Sequence, residues 1–422
     1  MARHSPEVEH RLAQDREAVR FYNLDREDGG KRLLKYTIEN NLNGDDEMAR
    51  VKGSKNKPKE AIEIDDGAKP ETETPKPVTV AKSGKSSQAS QLAEALAFVS
   101  VAGTKDDAPY KEHVILNNRV AIASDGQLTA GFPITEELAC CPHLELLKSA
   151  IAKSGKSLAI TELESGGLSI KGDKLRAVVP CIPFTALPDY AVLAPDQNIA
   201  PIDDRLKQAF SVCGVLVSEA APEFIKASML LEANQCTATN RATLIQYWHG
   251  VNLPPSLVVP KIFASAVCKQ KSKLVGFGWT EGRSITFHFE NGGWIKTLLY
   301  LDAYPNVAAI IDAQTNPAPV PVGLFDAIVT VAAFNDDGIA ILSDGRVSSH
   351  AQDGVGADYE IEGLLADINL ADDQIRLIAP YAKQVDFTSV ENKIFFFGEN
   401  MRGVMMACHR NERSEPIEAP PF

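Results

Sequence analysis

The side chains of this chain that could do chemistry stand at spacings that do not support it. Ser83-Gly-Lys-Ser86 and Ser154-Gly-Lys-Ser157 match the end of a phosphate-binding loop, but the first glycine such a loop requires is replaced by Thr79 in one and Ala150 in the other. Ser154 also follows a helical pattern instead of joining a strand to a helix, so the backbone cradle for phosphate is absent and both runs read as turns. Of the eight histidines, His288 stands between Phe287 and Phe289 in a strand pattern and His249 follows Trp248 at a strand end. Neither has Cys, Asp or Glu at ligand or triad spacing. Seven cysteines, at 140, 141, 181, 213, 236, 268 and 408, form no Cys-x-x-Cys pair and no cluster with His, which predicts buried thiols in a reduced compartment. The expectation is a chain with no catalytic residue, no metal site and no cofactor.

Asp125 and Asp344 look like candidate paired carboxylates until their surroundings are read. Each belongs to a recurring phrase: Val120-Ala-Ile-Ala-Ser124-Asp125-Gly126, Cys236-Thr-Ala-Thr239-Asn240-Arg241 and Ile339-Ala-Ile-Leu-Ser343-Asp344-Gly345. Asp-Gly after an apolar strand is a turn, in which Gly takes positive φ and Asp bonds its own backbone. Asn240 in the second copy removes the carboxylate, so the phrase is structural. Its recurrence at about a domain length predicts a tandem of like domains.

The elements around each phrase repeat as well. Upstream, apolar residues three and four apart predict a helix: Leu92, Leu96 and Val99; Leu206, Phe210 and Cys213; Leu324, Ile328 and Val331. Downstream, a second helix is predicted over 143–153, 259–268 and 371–382, each followed by short apolar strands at Gly or Asn turns. Pro380 is expected to kink or shorten the last of these. Leu324 and Asp344 are 20 residues apart, against 33 and 34 in the other copies, so a strand is expected to be missing from the third. Helix and antiparallel strands, done twice per unit, give an α+β architecture with helices on one face of a sheet.

Residues 1–86 differ in kind. They carry 17 basic and 17 acidic side chains, so the whole net charge of −13 falls on residues 87–422. Lys, Glu, Pro, Thr and Ser dominate 53–86 without apolar periodicity, which predicts a disordered linker. Met48 offers an alternative start. No signal peptide is read in the polar residues 1–10, and no apolar run approaches the roughly 18 residues of a membrane span.

Three such units without an active site resemble the bacterial DNA polymerase sliding clamp, the β subunit of the replicative polymerase. The middle domain of that family carries an Ala-Thr-Asp-Gly-His-Arg-Leu phrase, of which Ala238-Thr239-Asn240-Arg241-Ala242-Thr243-Leu244 is an altered form. Ala186-Leu-Pro188-Asp-Tyr190 and Ala303-Tyr-Pro305-Asn-Val307 are similar to the segments that close its first two domains, and Gly403-Val-Met-Met-Ala-Cys-His-Arg410 to its last strand. The likeness spans about 87–410, and its departures fit a divergent member, bacterial or phage-encoded.

What the resemblance implies is an α+β fold of three clamp domains, 87–200, 201–318 and 319–410, each a pair of βαβββ halves. Three domains would form half of a six-domain ring, with 1–86 as an extension and 411–422 as a tail. The function implied is a homodimeric, cytoplasmic processivity factor that encircles duplex DNA without sequence preference and binds a DNA polymerase and a clamp loader. Its partner-peptide pocket would be lined by Thr239, Arg241, Leu244, Pro305, Ile310, Val404, Met405 and Met406, although one of the two methionines must alternate into the core. DNA-facing candidates are Lys148, Lys153, Lys156, Arg205, Lys207, Lys261, Lys269, Lys271, Lys273, Arg376 and Lys383. A phage structural protein of tandem α+β domains is the alternative.

Overall fold

The computed structural model describes residues 87–103, 108–155, 157–188, 194–197, 200–349 and 356–408. The chain divides into units 1–78 and 79–422, and all described residues belong to the second. The expected N-terminal extension, Lys156, Tyr190 and the tail 411–422 lie outside the described residues.

Six helices repeat in pairs: α1 (Ser87–Val99) with α2 (Leu144–Lys153), α3 (Arg205–Cys213) with α4 (Lys261–Lys269), and α5 (Leu324–Ala332) with α6 (Asp372–Ile378). The residues whose spacing predicts α1, α3 and α5 are all buried where these helices meet the sheets. The phrase strands present small side chains on the same side, Ala121 and Ala123, Cys236 and Ala238, so the helices can approach closely. Phe210, Phe263 and Phe287 pack around one another where α3 and α4 meet the sheet.

Helix boundaries differ from expectation where a strand competes. The second unit's later helix starts at Lys261, because Leu257–Pro260 is a strand paired with Ser228–Leu231. Likewise Ile368–Ala371 is a strand, so α6 starts at Asp372. It stops at Ile378, two residues before Pro380, whose missing N–H cannot continue the ladder.

The sheets run across successive units. A seven-stranded sheet joins Leu128–Pro133, after the first phrase, to Trp294–Leu298, the last strand of the second unit. An eight-stranded sheet repeats the seam, pairing Thr243–Trp248 with Met401–Met406. Both seams contain a glycine that has no room for a side chain. A Cβ on Gly131 would lie 2.3 Å from the Trp294 ring, and one on Gly403 would lie 2.1 Å from Phe396 and 2.6 Å from the Leu244 carbonyl.

Two four-stranded sheets complete the fold, one containing Arg176–Ile182 and the other ending in Asp358–Glu360. In the latter, Ile368–Ala371 pairs directly with the phrase strand Ile339–Ser343. The first and second units place Ile115–Asn117 and Ser228–Leu231 ahead of their phrases, and residues 333–338 form no counterpart. This is the strand that the 20-residue spacing leaves out.

A buried ion pair ties the segment 194–197 to the seven-stranded sheet. Lys296 Nζ donates to Asp196 Oδ1 (3.1 Å) and to the Ala194 carbonyl (2.8 Å). The Asp196 carboxylate also accepts from the hydroxyls of Thr280 (2.6 Å), Ser284 (3.0 Å) and Thr286 (2.8 Å). Burial works to raise the Asp196 pKa, but the hydroxyls and Lys296 outweigh it and hold the carboxyl below its ordinary value.

Candidate functional site

The phrase turns have one geometry in the first two units. Asp125 Oδ1 accepts from the backbone N–H groups of Gln127 (2.8 Å) and Leu128 (2.6 Å). Asn240 Oδ1 accepts from those of Ala242 (3.0 Å) and Thr243 (2.7 Å). An amide oxygen replaces a carboxylate oxygen with no loss of the turn. The next position requires a left-handed backbone, filled by Gly126 at φ 94 and Gly345 at φ 76, but by Arg241 at φ 80. Thr239 Oγ1 supports that turn, accepting from Arg241 N–H (3.0 Å) and donating to the Thr243 carbonyl (2.8 Å).

This turn stands at the seam of the eight-stranded sheet. On the face away from the helices, Leu244 and Val404 are register partners across the seam. The segment from Asp302 to Ala318 crosses that face, and its Ile311 is buried with Leu244, Phe395 and Val404. To one side it leaves a cleft of about 310 Å³, lined by Thr239, Arg241, Leu244, Pro305, Ile310, Val404 and Met406 together with Ile225, Ala242, Thr243, Asn306 and Val307. On its other side, Arg402 donates to Gln246 (2.8 Å) and Asp312 (2.6 Å) beside a wider groove.

Seven of the eight residues expected in a pocket thus line one cleft, and Met405 does not. Met405 is 1% exposed in the core beneath the sheet, while Met406 is 43% exposed on the cleft side. The alternation of strand side chains separates them. Ile225 and Val307 were not legible, since both sit in one-turn or irregular segments without periodicity.

The expected DNA-facing cations separate into three kinds. Lys207, which also pairs with Asp204 (3.1 Å), and Lys261, both expected to face DNA, are turned toward backbone carbonyls. Lys207 Nζ donates to the carbonyls of Ser272 (2.5 Å) and Gln270 (3.2 Å), and Lys261 Nζ to that of Gly214 (2.8 Å). Burial lowers the Lys261 pKa. Lys148, Arg205, Arg376 and Lys383 pair with Glu145, Asp203, Asp372 and Glu399. Lys153, Lys269, Lys271 and Lys273 are exposed, with no carboxylate partner among the described residues.

The other candidate chemistry resolves into structure. Ser154 caps α2 by donating to the Ile151 carbonyl (2.8 Å), and Gly155 follows at φ 80, an ordinary helix end. His249 is buried, its Nδ1 accepting from Val251 N–H (3.1 Å); burial, with Arg205 adding, lowers its pKa to about 4. Desolvation pushes the Cys141 thiol up to about 12 and Cys236 well above its usual value, which leaves them inert as nucleophiles. Among the described residues no cluster of three or more His, Cys, Asp or Glu is placed to hold a metal, and no helix is long and apolar enough to cross a membrane.

No protein-family description and no curated protein matches this chain in sequence. Solved structures do match it in fold. The DNA polymerase III β subunit of Pseudomonas aeruginosa superposes with a TM-score of 0.64 at 14% identity, covering 76% of this chain and 99% of that one. The polymerase sliding clamp of Bacillus subtilis gives 0.64 at 14% identity, covering 76% and 98%. The polymerase III β subunit of Caulobacter crescentus gives 0.65 at 14%, with the same coverage. The chain therefore has the fold of the bacterial β sliding clamps along nearly their whole length.

Proposed function

We propose that this chain is a DNA sliding clamp, a non-enzymatic ring that encircles duplex DNA and tethers a DNA polymerase to it. The observation that carries the reading is the apolar cleft at the seam of the eight-stranded sheet, in a chain that matches solved clamps in fold along nearly the whole of their length. Its lining of Leu244, Ile310 and Val404 suits a short hydrophobic peptide, and the flexible, polarizable Met406 at its mouth suits several such peptides. The domains run 87–200, 201–318 and 319–410.

The ring closes between two copies. In both internal seams the strand after the phrase of one unit pairs with the last strand of the next unit. In the third unit the strand after the phrase, Arg346–Ser348, already pairs with Asp358–Glu360, so the corresponding sheet edge is Asp358–Glu360, and it would meet Arg176–Val179 of a second copy, the part of the first unit's last strand beyond its pairing with Cys141–Pro142. Those edges complement each other: Asp358 and Glu360 are exposed beside Tyr359 at 52%, and Lys174 and Arg176 are exposed beside Val178 at 64%. An unpaired edge with an exposed apolar side chain is a surface that calls for a partner strand. Two such interfaces give closed two-fold symmetry.

Enclosure, not affinity, would hold DNA, so a few unpaired lysines are enough for phosphate interactions that permit sliding. Lys153, Lys269, Lys271 and Lys273 take this role. An acidic exterior keeps DNA off the outside. A clamp loader opens the ring in the cytoplasm of the cell that replicates this DNA.

Retention of the purified protein on nicked circular DNA, with a loader supplied, tests the reading. Loss of retention when the circle is linearised is the expected result. With loading competence verified, retention indifferent to ends would mean ordinary electrostatic binding. No retention would favour a structural protein of tandem α+β domains.

A further inference from the structure

The last strand of the eight-stranded sheet ends in the cleft, and the chain continues from there. Met406 lines the cleft and donates its N–H to the Ala242 carbonyl (2.8 Å). Ala407 N–H then donates to Asn392 O (3.0 Å) and Cys408 N–H to Asn369 O (2.9 Å), so the backbone is fixed to that point. At about 3.8 Å per residue, the Cys408 Cα stands within roughly 8 Å of the Met406 Cα. Any segment that follows Cys408 starts at the cleft mouth.

The chemistry of that segment matches the cleft. Residues 411–422 read Asn-Glu-Arg-Ser-Glu-Pro-Ile-Glu-Ala-Pro-Pro-Phe. Nine residues separate Ile417 from Cys408, a reach of about 30 Å when extended, far more than the distance to cover. Ile417 and Phe422 are the large apolar side chains of the run, and the cleft floor is apolar. Glu415 and Glu418 flank Ile417, and the rim of the cleft carries Arg241, whose guanidinium pairs with Glu223 on one side and stays 61% exposed. Pro416, Pro420 and Pro421 bias the run toward an extended form, which lowers the entropy lost on docking.

We propose that the segment Asn411–Phe422 docks in the cleft of its own chain, with Ile417 and Phe422 on the apolar floor and its glutamates facing Arg241. The tail is then an internal competitor for the peptide site. This rests on the cleft being the polymerase-docking site only for its regulatory meaning; the docking itself does not.

Tethering makes a weak interaction effective. A short flexible connection gives an effective concentration on the order of millimolar. A tail with an intrinsic Kd of about 1 mM would lower a partner's apparent affinity about twofold, and one of about 0.1 mM roughly tenfold. Partners that bind weakly would be excluded, and a strong polymerase peptide would displace the tail.

The test uses the full chain and its variant Ile417→Asp/Phe422→Asp, both labelled with ¹³C at the methionine methyls. A water-soluble gadolinium chelate reports the exposure of each methyl. The expected result is that Met406 is protected in the parent and broadened several-fold more in the variant, while the buried Met401 and Met405 are unaffected in both. Equal broadening of Met406 in the two proteins would overturn the proposal. In parallel, a fluorescein-labelled peptide of residues 411–422 should bind the variant about twofold to tenfold more tightly than the parent. Equal binding to both, or binding to neither, would overturn it too. Neither readout involves a polymerase, so a failed polymerase capture with a protected Met406 would count against the docking reading and not against the tail's own place in the cleft.

Discussion

Arg241 holds a left-handed backbone at φ 80 while its guanidinium lies 2.6 Å from the Glu223 carboxylate, at the rim of the cleft. The equivalent turns of the first and third units use glycine there. A long side chain at such a φ costs on the order of 1 to 2 kcal/mol. The half-exposed ion pair returns at most about 1 kcal/mol of that.

Arg241→Gly is therefore expected to leave unfolding stability within about 1 kcal/mol of the parent, since relieved strain offsets the missing pair and the added freedom of the unfolded chain. Arg241→Val should destabilise by roughly 2 kcal/mol more, because a β-branched residue fits this φ worst. Urea denaturation of the two variants checks the ranking. A larger loss with Gly than with Val would show that the side chain, not the backbone, governs the site.

The two adjacent methionines make the sharpest contrast. Met406→Asp should abolish binding of polymerase peptides with little change in melting temperature, because its side chain is 43% exposed. Met405→Asp should lower stability by at least about 3 kcal/mol, since it places a charge in the core. Calorimetry beside a peptide-binding titration reads both effects. Preserved peptide binding in a folded Met406→Asp protein would remove the cleft from the partner site.

How much of this was legible follows from where each signal lives. The helices showed in the sequence because each buries a single face, so Leu206, Phe210 and Cys213 recur at helical spacing. The missing strand showed as a shortened interval between Leu324 and Asp344. Met405 and Met406 could not be told apart, because the segment carrying Ile311 covers the outer face of their strand and leaves both faces apolar. Val259 and Pro260 fall inside the run 259–268 that predicts a helix but end the strand Leu257–Pro260, since a short apolar run has no period of its own. The inward turns of Lys207 and Lys261 depend on carbonyls 47 or more residues away, which no local pattern encodes.

The lysines give a test by salt dependence. Changing Lys269, Lys271 and Lys273 together to Gln should reduce the slope of log K against log salt for DNA binding by up to about 3, near 0.9 for each phosphate that is no longer neutralised. Lys207→Gln should leave that slope alone and cost about 1 to 3 kcal/mol of stability, because it strips two carbonyls of their donor. Binding titrations from low to moderate salt separate the two. An unchanged slope in the triple variant would take this cluster off the DNA-facing surface.

His249 predicts a mild acid sensitivity. Its folded pKa of about 4 lies below the ordinary value near 6.5, so the unfolded chain binds the extra proton first as pH falls. The stability it contributes is complete above about pH 6.5 and is lost progressively toward pH 4, by up to roughly 3 kcal/mol. His249→Gln should flatten this part of the stability profile in denaturant titrations. A profile as steep as the parent's would assign the acid sensitivity to other groups.

Lys296 and Asp196 set the hardest structural constraint, because the pair is buried and each partner depends on the other. Lys296→Met removes the cation but leaves the Asp196 carboxylate under the sheet with its three hydroxyl donors. The expected cost is about 3 kcal/mol or somewhat more, since an uncompensated buried charge outweighs the missing Coulomb attraction. Asp196→Asn in the same background should recover part of that loss by removing the orphaned charge. The folded carboxyl is held below its ordinary pKa, so its contribution is present above about pH 4 and disappears as the pH falls through the lowered value. The segment 194–197 leads into Ala200–Pro201, the edge strand of the seven-stranded sheet, so a loosened pair should also raise amide exchange along that edge. Exchange confined to the substituted residue, with full stability retained, would mean that the hydroxyls alone hold the segment.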